Sequence, residues 1–196
     1  MNIEAICRVI DSGGLVIAPT DTIYGIMGDA TNEEAIKKVY DVKKRQHNKP
    51  LILLMDSIEM VEKYTGETSS IEKTIMNKFW PGLVTIILKK NDSVNELVTA
   101  GMDTVGIRIP DNEDLLKIIR KLDRPIISTS ANVAGEDVIT NLDMINKKLC
   151  NEIDYIEDGG ELSDVASTVI RVVDGNLLIL RKGKLAKEIE KYIEML

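Results

Sequence analysis

Histidine, cysteine and aromatic side chains are scarce in this sequence of 196 residues. His47 is the one histidine, and the two cysteines, Cys7 and Cys150, lie far apart without a C-x-x-C spacing. This scarcity excludes a Cys/His zinc site and disfavours a disulfide framework. It also disfavours a Ser-His-Asp or Cys-His catalytic group, because each needs a histidine beside its nucleophile.

Long apolar runs and a surplus of positive charge are missing as well. No stretch approaches the run of about eighteen apolar residues that a membrane span needs, and the N-terminus lacks the features of a secretory signal. We therefore expect a cytoplasmic protein without membrane contact. The formal net charge of -7 disfavours broad, nonspecific binding to nucleic acid. The sequence also lacks the motifs G-x-x-x-x-G-K-[ST], G-x-G-x-x-G, H-E-x-x-H and G-x-S-x-G.

What remains is an ordinary globular composition in which helical and strand patterns alternate. Hydrophobic residues make up 44% of the chain and charged residues 29%. The alternation predicts an α/β fold on a mixed sheet, and no linker suggests a domain boundary, so we expect a single domain over residues 1–196. The predicted strands are Leu15–Ala18, Leu51–Met55, Leu83–Leu88, Val105–Ile109, Pro125–Ile127, Ile153–Ile156, Thr168–Val173 and Asn176–Leu180, the last two joined by an Asp-Gly turn.

Some of the helical patterns begin at recognisable capping residues. A capping box formed by Thr31 and Glu34 is predicted to open one helix. The predicted helices are Ile3–Ile10, Ala35 to the basic residues near Lys43, Ser57–Tyr64, Ser69 or Ser70 to Phe79, Asn112–Leu122, Thr140 or Asn141 to Leu149, and Leu185–Met195.

A basic block, residues 37–50 with the sequence K-K-V-Y-D-V-K-K-R-Q-H-N-K-P, runs against the acidic background of the chain. It lies where a helical pattern ends and a strand begins. Guanidinium and ammonium groups there could pair with the oxygens of a phosphorylated ligand. Because lysine and arginine also suit the last turn of any helix, a merely solvated helix end is the alternative.

Three further stretches look unusual for loops or strands. Residues 19–25, P-T-D-T-I-Y-G, form a hydroxyl-rich turn after the first strand, or they cap a helix that starts at Tyr24. Arg108 interrupts the apolar strand in T-V-G-I-R-I-P, and it either meets a ligand or pairs with an acidic residue of the chain. Residues 128–132, S-T-S-A-N, place three hydroxyls and an amide at a strand end, for a polar ligand or for a hydrogen-bonded turn.

Taken together, these stretches supply cations and hydroxyls but no activated nucleophile. Ser167-Thr168 and Arg181-Lys182-Gly183, at the two ends of the predicted hairpin, add to the same inventory. Reactions at phosphorus suit it, since positioning and charge neutralisation carry most of their catalysis. The residues by themselves indicate a binder of a small polyanion, or an enzyme that acts on one.

The sequence resembles the YrdC-like family of threonylcarbamoyl-AMP synthases, in its short, single-domain form. The resemblance runs from about Gly13 to Gly183 and rests on seven motifs in the family's order: P-T-D-T-I-Y-G, K-K-R-Q-H-N-K-P-L, W-P-G, G-I-R-I-P, S-T-S-A-N, A-S-T-V-I and L-R-K-G. It implies one α/β domain whose twisted, mixed parallel/antiparallel sheet and flanking helices surround a positively charged cavity. The chain ends soon after the last motif, so we expect it to lack the additional C-terminal domain of longer members.

The resemblance also implies an activity. Family members combine L-threonine, bicarbonate and ATP into threonylcarbamoyl-AMP and pyrophosphate. A separate transferase then modifies an adenosine beside the anticodon of certain tRNAs. The implied cofactor is Mg²⁺, held mainly by phosphates and water rather than by protein side chains.

The implied roles fall on residues of the motifs. Lys43 and Arg45, the K-x-R pair, would be catalytic. The residues implied to bind ATP are Arg45, Lys49, Thr104, Asn132, Thr140 and Arg181. The residues implied to bind threonine are Thr22, Arg108, Ser130 and Ser167.

The sequence departs from the family pattern at two positions, and two other functions stay open. Leu54 stands where many relatives carry histidine, and Ala166 precedes Ser167 where proline is common. One alternative is carbamoyl-adenylate chemistry of the hydrogenase-maturation type. The other is an RNA-binding module whose cavity holds a phosphate backbone, with weak RNA contact also open to the synthase.

Overall fold

The computed structural model of the protein describes residues 1–145, 147–162 and 165–194. Within these residues one sheet contains the strands β1 (Val16–Pro19), β2 (Tyr24–Asp29), β3 (Ile52–Leu54), β4 (Val84–Lys89), β5 (Thr104–Arg108), β6 (Ile126–Ser130), β7 (Tyr155–Ile156), β8 (Thr168–Val173) and β9 (Asn176–Arg181). The helices are α1 (Ile3–Asp11), α2 (Glu33–Lys43), α3 (Ile58–Tyr64), α4 (Ser70–Phe79), α5 (Glu96–Thr99), α6 (Glu113–Leu122), a 3₁₀ turn (Leu142–Met144), α7 (Lys147–Cys150) and α8 (Ala186–Ile193).

The sheet is mixed, as the sequence predicts. Its strand order is β7-β1-β2-β6-β3-β5-β4-β8-β9. The pairs β1/β7, β3/β5 and β4/β8 are parallel, and the five other neighbouring pairs are antiparallel. In the hairpin of β8 and β9, Asp174 and Gly175 both have positive φ (50° and 78°), which confirms the predicted primed turn.

The middle of the sheet is deeply buried and anchors the loops that follow its strands. All six residues of β2 are buried, since β1 and β6 pair with its two edges and α2 packs against it. The strands β5, β6 and β9 end on Arg108, Ser130 and Arg181, and β8 begins just after Ser167. The sheet thus holds the ends of these strands, and the polar residues on them, at fixed positions.

Several helix starts follow the predicted capping chemistry. Ser57 accepts a hydrogen bond from the Met60 amide at 3.2 Å, as predicted. Asn112 stands at a predicted helix start without a predicted capping role, and its side chain accepts a hydrogen bond from the Leu115 amide at 3.1 Å. Between the two serines left open by the sequence, Ser69 is the N-cap of α4, and it forms a full capping box with Glu72. The sequence missed the short helix α5, whose four residues offer too little periodicity to detect.

The alternative prediction of a helix starting at Tyr24 is wrong. Tyr24 begins the buried strand β2. The Thr20 hydroxyl accepts hydrogen bonds from the amides of Thr22 and Ile23 and donates one to the Ile23 carbonyl, so it closes a tight turn between β1 and β2. The hydroxyl performs local capping as expected, but on a turn between antiparallel strands rather than on a helix.

Two other helix predictions need correction. Asn32, not Thr31, is the N-cap of α2, since its side chain accepts from the amides of Glu34 and Ala35, while Thr31 donates to Asp29. The helix predicted from Thr140 or Asn141 to Leu149 is not continuous. Among the described residues of this stretch, the 3₁₀ turn and the short α7 are the helical elements, and Ile145 after the 3₁₀ turn has extended backbone angles (φ -65°, ψ 128°).

No helix in the described ranges combines the length and the apolar character that crossing a membrane requires.

The N-cap of α4 gives a direct test of the fold. Ser69→Ala should lower the free energy of unfolding by about 1 kcal/mol, because the Glu72 amide at the start of the helix loses its side-chain acceptor. Ser70→Ala, one residue further on, is the matched control and should change it by less than about 0.5 kcal/mol. Urea denaturation followed by circular dichroism measures both, and equal losses would contradict the assignment of Ser69 as the cap.

Candidate functional site

An open cavity lies against the sheet where several strands end. With its open mouth included, it encloses about 740 Å³ of empty space. Its lining residues are Thr20, Thr22, Ile23, Gly25, Arg45, Pro50, Leu51, Ile52, Arg108, Ser128, Thr129, Ser130, Val138, Ala166, Ser167 and Arg181. Within the described part of the chain, this lining holds three guanidinium groups and no carboxylate. The cavity therefore suits a ligand with several negative charges.

Arg108 is a buried cation in the cavity wall. Its side chain is only 3% exposed and donates from Nη1 to the carboxylate of Asp21, whose side chain is 6% exposed. The other Asp21 oxygen accepts from the Asp111 amide at 3.0 Å. Pairing with an acidic residue was one of the two alternatives for Arg108, and the structure confirms the pair while also placing Arg108 on the cavity.

Arg181 and Ser167 form the opposite part of the wall. Arg181 Nη2 donates to the Ser167 carbonyl at 2.9 Å and to the Ser167 hydroxyl at 3.0 Å. That hydroxyl also shares a hydrogen bond of 2.8 Å with the buried Thr85 on β4. Desolvation lowers the pKa of Arg181, and the nearby charge of Arg108 lowers it further. The two guanidiniums thus lie close enough for the charge of Arg108 to disfavour the charge of Arg181.

The turn between β1 and β2 supplies hydroxyls to the cavity. Thr20 and Thr22 share a hydrogen bond of 2.8 Å between their hydroxyls, and both line the cavity. Gly25, the second residue of β2, leaves room beside them, because a Cβ there would lie 3.0 Å from Ser128 Oγ. The small residue keeps the floor of the cavity open.

Arg45 closes the basic loop that follows α2. Its Nε donates to the Lys49 carbonyl at 3.1 Å and its Nη2 to the Pro50 carbonyl at 2.8 Å. The Tyr40 hydroxyl also lies 3.0 Å from the Lys49 carbonyl, and the Tyr40 ring stacks on His47 with centroids 4.8 Å apart. Desolvation lowers the pKa of Arg45. The loop is thus built around its own backbone carbonyls, with the Arg45 side chain against the cavity.

Lys43 lies behind the cavity and is only 1% exposed. Its Nζ donates to the carbonyls of Ser130 and Asn132, the latter at 2.7 Å, and to Asn132 Oδ1 at 3.2 Å. Asn132 Oδ1 in turn accepts from the Ser130 hydroxyl at 2.5 Å. One buried ammonium thereby links the end of α2 to the loop that follows β6.

The surroundings of Lys43 disfavour its positive charge. Burial without a carboxylate partner, and secondarily the charge of Arg45, lower the pKa of Lys43 to about 7. Four oxygen atoms surround Nζ, so carbonyl dipoles rather than an anion hold the ammonium.

Comparison with known proteins assigns the chain to a family. Residues 8–183 match the Sua5/YciO/YrdC family model, described as "Telomere recombination". The chain belongs to this family. A Methanocaldococcus jannaschii relative is 39% identical over 92% of this chain and 85% of its own length. The threonylcarbamoyl-AMP synthase of Pyrococcus abyssi is 37% identical over 94% of this chain and 55% of its own length. The chain thus spans little more than half of that relative.

A solved structure gives the same result for the fold of this Sua5/YciO/YrdC domain. The crystal structure of P. abyssi Sua5 complexed with L-threonine superposes with a TM-score of 0.91 at 36% identity. The match covers 97% of this chain and 57% of that chain. The agreement confirms the predicted mixed α/β sheet with its flanking helices.

The structure brings together six of the site residues implied by the resemblance. They line one cavity: Thr22, Arg45, Arg108, Ser130, Ser167 and Arg181. Lys43 and Asn132 are not part of the lining, but both contact Ser130, so they can act on a ligand through it. Leu54, at the position where many members of the family have histidine, is fully buried in β3.

Three other implied residues lie away from the cavity lining. Lys49 is exposed, and its backbone carbonyl, rather than its ammonium, takes part in the loop. Thr104 starts β5, so it lies about 13 Å from Arg108 at the end of the same strand. The Thr140 hydroxyl points to the sulfur of Met144 at 3.3 Å. In this structure none of the three contacts the space between the arginines.

The sequence also missed contributors to the site. Asp21 and Thr85 were not assigned a role, although they hold Arg108 and Ser167. Asp21 stands within the quoted P-T-D-T stretch, whereas Thr85 lies in an apolar strand with no signal around it. Among the residues described, no group of three or more histidine, cysteine, aspartate or glutamate side chains could hold a metal ion.

The buried Lys43 makes stability depend on pH in a defined direction. Its folded pKa of about 7 lies below its unfolded value near 10.4, so the unfolded chain binds more protons between these values. Relative to Lys43→Met, the wild type should therefore gain stability as pH rises from 7 to 9, by up to about 1.4 kcal/mol per pH unit. Urea denaturation at several pH values measures this difference. The exposed Lys44→Met is the control, and a wild-type advantage that falls over this range would refute the assignment.

Proposed function

We propose that this protein is an L-threonylcarbamoyladenylate synthase, a nucleotidyltransferase. It would form threonylcarbamoyl-AMP and pyrophosphate from L-threonine, bicarbonate and ATP. The observation that carries the proposal is the cavity, whose described lining has three arginines and a row of hydroxyls but no cysteine, and no histidine that could activate a hydroxyl. The relative from P. abyssi carries the synthase name, and its threonine complex shares this fold.

The charges of the cavity suit ATP. Arg45 and Arg181 each use guanidinium nitrogens to hold backbone carbonyls, and both lie in the cavity wall. Phosphate oxygens would replace the lost hydration of these cations, since charge-assisted hydrogen bonds are strong where water is excluded. Arg45 and Arg181 are accordingly our candidates for binding the phosphates. Lys43 would position the basic loop after α2 relative to Ser130, because it ends α2 and donates to the Ser130 carbonyl.

Threonine would bind near Arg108. The planar guanidinium of Arg108 can hold the amino-acid carboxylate through two parallel hydrogen bonds. Thr22 and Ser167 lie on the same cavity and offer hydroxyls to the polar end of threonine. Ser130 would contribute its hydroxyl from the end of β6.

The reaction needs no covalent intermediate with the protein. The threonine amine and bicarbonate would give a carbamate and water. A carbamate oxygen would then attack the α-phosphorus of ATP, and pyrophosphate would leave with the bonding electrons. The protein's part is to bring two anions together and to offset their charge, which agrees with a site built from cations and hydroxyls.

Mg²⁺ would enter with the nucleotide. The cavity lining offers it no carboxylate among the described residues, so phosphate oxygens and water would complete its shell. The product would go to a separate tRNA threonylcarbamoyl transferase, because a mixed phosphoric–carbamic anhydride is a reactive group donor. A weak contact with the acceptor RNA remains part of this proposal, as does action in the cytoplasm.

The proposal predicts a strict substrate requirement. Pyrophosphate release from ATP and Mg²⁺ should require both L-threonine and bicarbonate, and withholding either should reduce it to background. A coupled pyrophosphate assay with each component omitted in turn measures this. Equal release without threonine would refute the proposal, and salt-sensitive RNA binding without ATP turnover would favour the RNA-binding alternative.

Arg108→Lys gives a residue-level prediction. The variant keeps the positive charge but loses the planar fork, so the KM for threonine should rise about ten- to a hundred-fold while the KM for ATP stays within about two-fold. Steady-state kinetics with each substrate varied separately measures both constants. Arg124→Lys is the matched control, because Arg124 also pairs with buried and exposed carboxylates but lies off the cavity. A larger effect on ATP than on threonine would exclude this role for Arg108.

A further inference from the structure

We propose that Asp21 is a positioning residue that presents one edge of the Arg108 guanidinium to the amino-acid carboxylate. The inference rests on the proposed function for the identity of the ligand. The geometry that leads to it is independent of that function.

The first observation is that both carboxylate oxygens of Asp21 are engaged in hydrogen bonds. One of its carboxylate oxygens accepts from Arg108 Nη1 and the other accepts from the Asp111 amide. Asp111 lies three residues beyond Arg108 in the chain, so the carboxylate ties the end of β5 to the turn between β1 and β2. The Asp21 side chain is 6% exposed, which leaves little room for it to swing aside.

The second observation is a donor without a partner. Arg108 Nε is buried and makes no hydrogen bond within the described residues. A buried N–H without an acceptor costs about 1–3 kcal/mol, and native structures contain few of them. Nε and Nη2 form the side edge of the guanidinium, one of the two edges through which arginine holds a carboxylate with two parallel bonds. Asp21 occupies Nη1 and leaves this side edge available.

The third observation concerns charge. Asp21 offers one negative charge where Arg108 and Arg181 are close enough to interact, and Arg45 adds a further cation to the wall. The wall therefore keeps a net positive charge after the pair has formed. A second carboxylate, from a ligand, can bind Arg108 without displacing Asp21.

The turn itself is built to hold Asp21 still. Thr20 Oγ1 bonds to the amides of Thr22 and Ile23 on the far side of Asp21, at 3.0 and 3.1 Å. The backbone of Asp21 is thus enclosed in a hydrogen-bonded turn whose two ends enter β1 and β2. A carboxylate on this turn can hold the Arg108 guanidinium in place, because the hydrogen-bonded turn does not shift when the guanidinium moves.

Asp21→Asn tests the inference because it removes the charge but keeps an acceptor of the same shape. We expect the Kd of L-threonine, measured by titration calorimetry, to rise at least about ten-fold, since a misplaced binding group commonly costs up to about a hundred-fold. The Kd of ATP should stay within about two-fold. Asp21→Glu, which restores the charge on a longer side chain, should give a threonine Kd between those of the wild type and Asp21→Asn.

A second measurement reports on Arg108 directly and needs no ligand. In ¹⁵N-labelled protein the Nε–Hε resonance of Arg108, assigned by its loss in Arg108→Lys, should show a lower order parameter in Asp21→Asn than in the wild type. Asp29→Asn is the matched control, because Asp29 holds Arg124 in a partly buried pair away from the cavity. It should lower stability without changing the threonine Kd or the order of Arg108.

The outcomes separate this inference from the proposed function. An unchanged or lower threonine Kd in Asp21→Asn overturns the inference, since Asp21 would then be indifferent or a competing anion. A higher threonine Kd in Asp21→Asn with an unchanged order parameter at Arg108 Nε overturns it as well. An equal rise of the threonine Kd in Asp29→Asn also overturns it. If the wild type binds no threonine, the proposed function fails, and the order parameter alone then decides whether Asp21 positions Arg108. If Asp21→Asn does not fold, the Kd and order parameter of Asp21→Glu decide by the same criteria.

Discussion

The two main loops of the site, the basic loop after α2 and the loop after β6, depend on the hydrogen bonds of the buried Lys43 ammonium. A lysine inside a protein must satisfy three N–H groups, and here the backbone carbonyls of Ser130 and Asn132 and the side-chain oxygen of Asn132 accept hydrogen bonds from them. The same residue ends α2, so the start of the basic loop and the position of Ser130 are set together. This arrangement lowers the pKa of Lys43, because burial disfavours the charged form. The surrounding oxygens offset part of this penalty, because they replace the water that would hydrate the ammonium.

The rest of the site follows the same rule of cations held by oxygens. Arg45 is held by carbonyls of its own loop, Arg181 by Ser167, and Arg108 by a carboxylate. Each guanidinium is thereby kept in the cavity wall before any ligand arrives. Pre-positioned charge of this kind stabilises developing negative charge without reorganisation, and it suits the joining of a carbamate to a nucleoside triphosphate that we propose.

The sequence predicted much of this molecule from local signals. Alternating patterns predicted the mixed α/β fold, and capping side chains predicted the starts of α3 and α4. The signals failed where tertiary contacts overrode them. Tyr24 follows a hydroxyl-rich turn that resembles a helix cap, yet its backbone pairs with Pro19 of β1 on one side and accepts a hydrogen bond from the Ala131 amide on the other. The motifs also identified the family, and with it most of the residues that line the cavity.

Only the tertiary structure decided which motif residues meet and how. Thr104 and Arg108 belong to one short motif, yet they lie at opposite ends of strand β5. Of the two, only Arg108 reaches the cavity. Lys43 and Arg45 are two residues apart, yet one is buried against carbonyls and the other lines the cavity. The sequence by itself determined the inventory of cations and hydroxyls. The partners of Arg108 and Lys43 lie 87 or more positions away in the chain, and local patterns carry no information about such distant contacts.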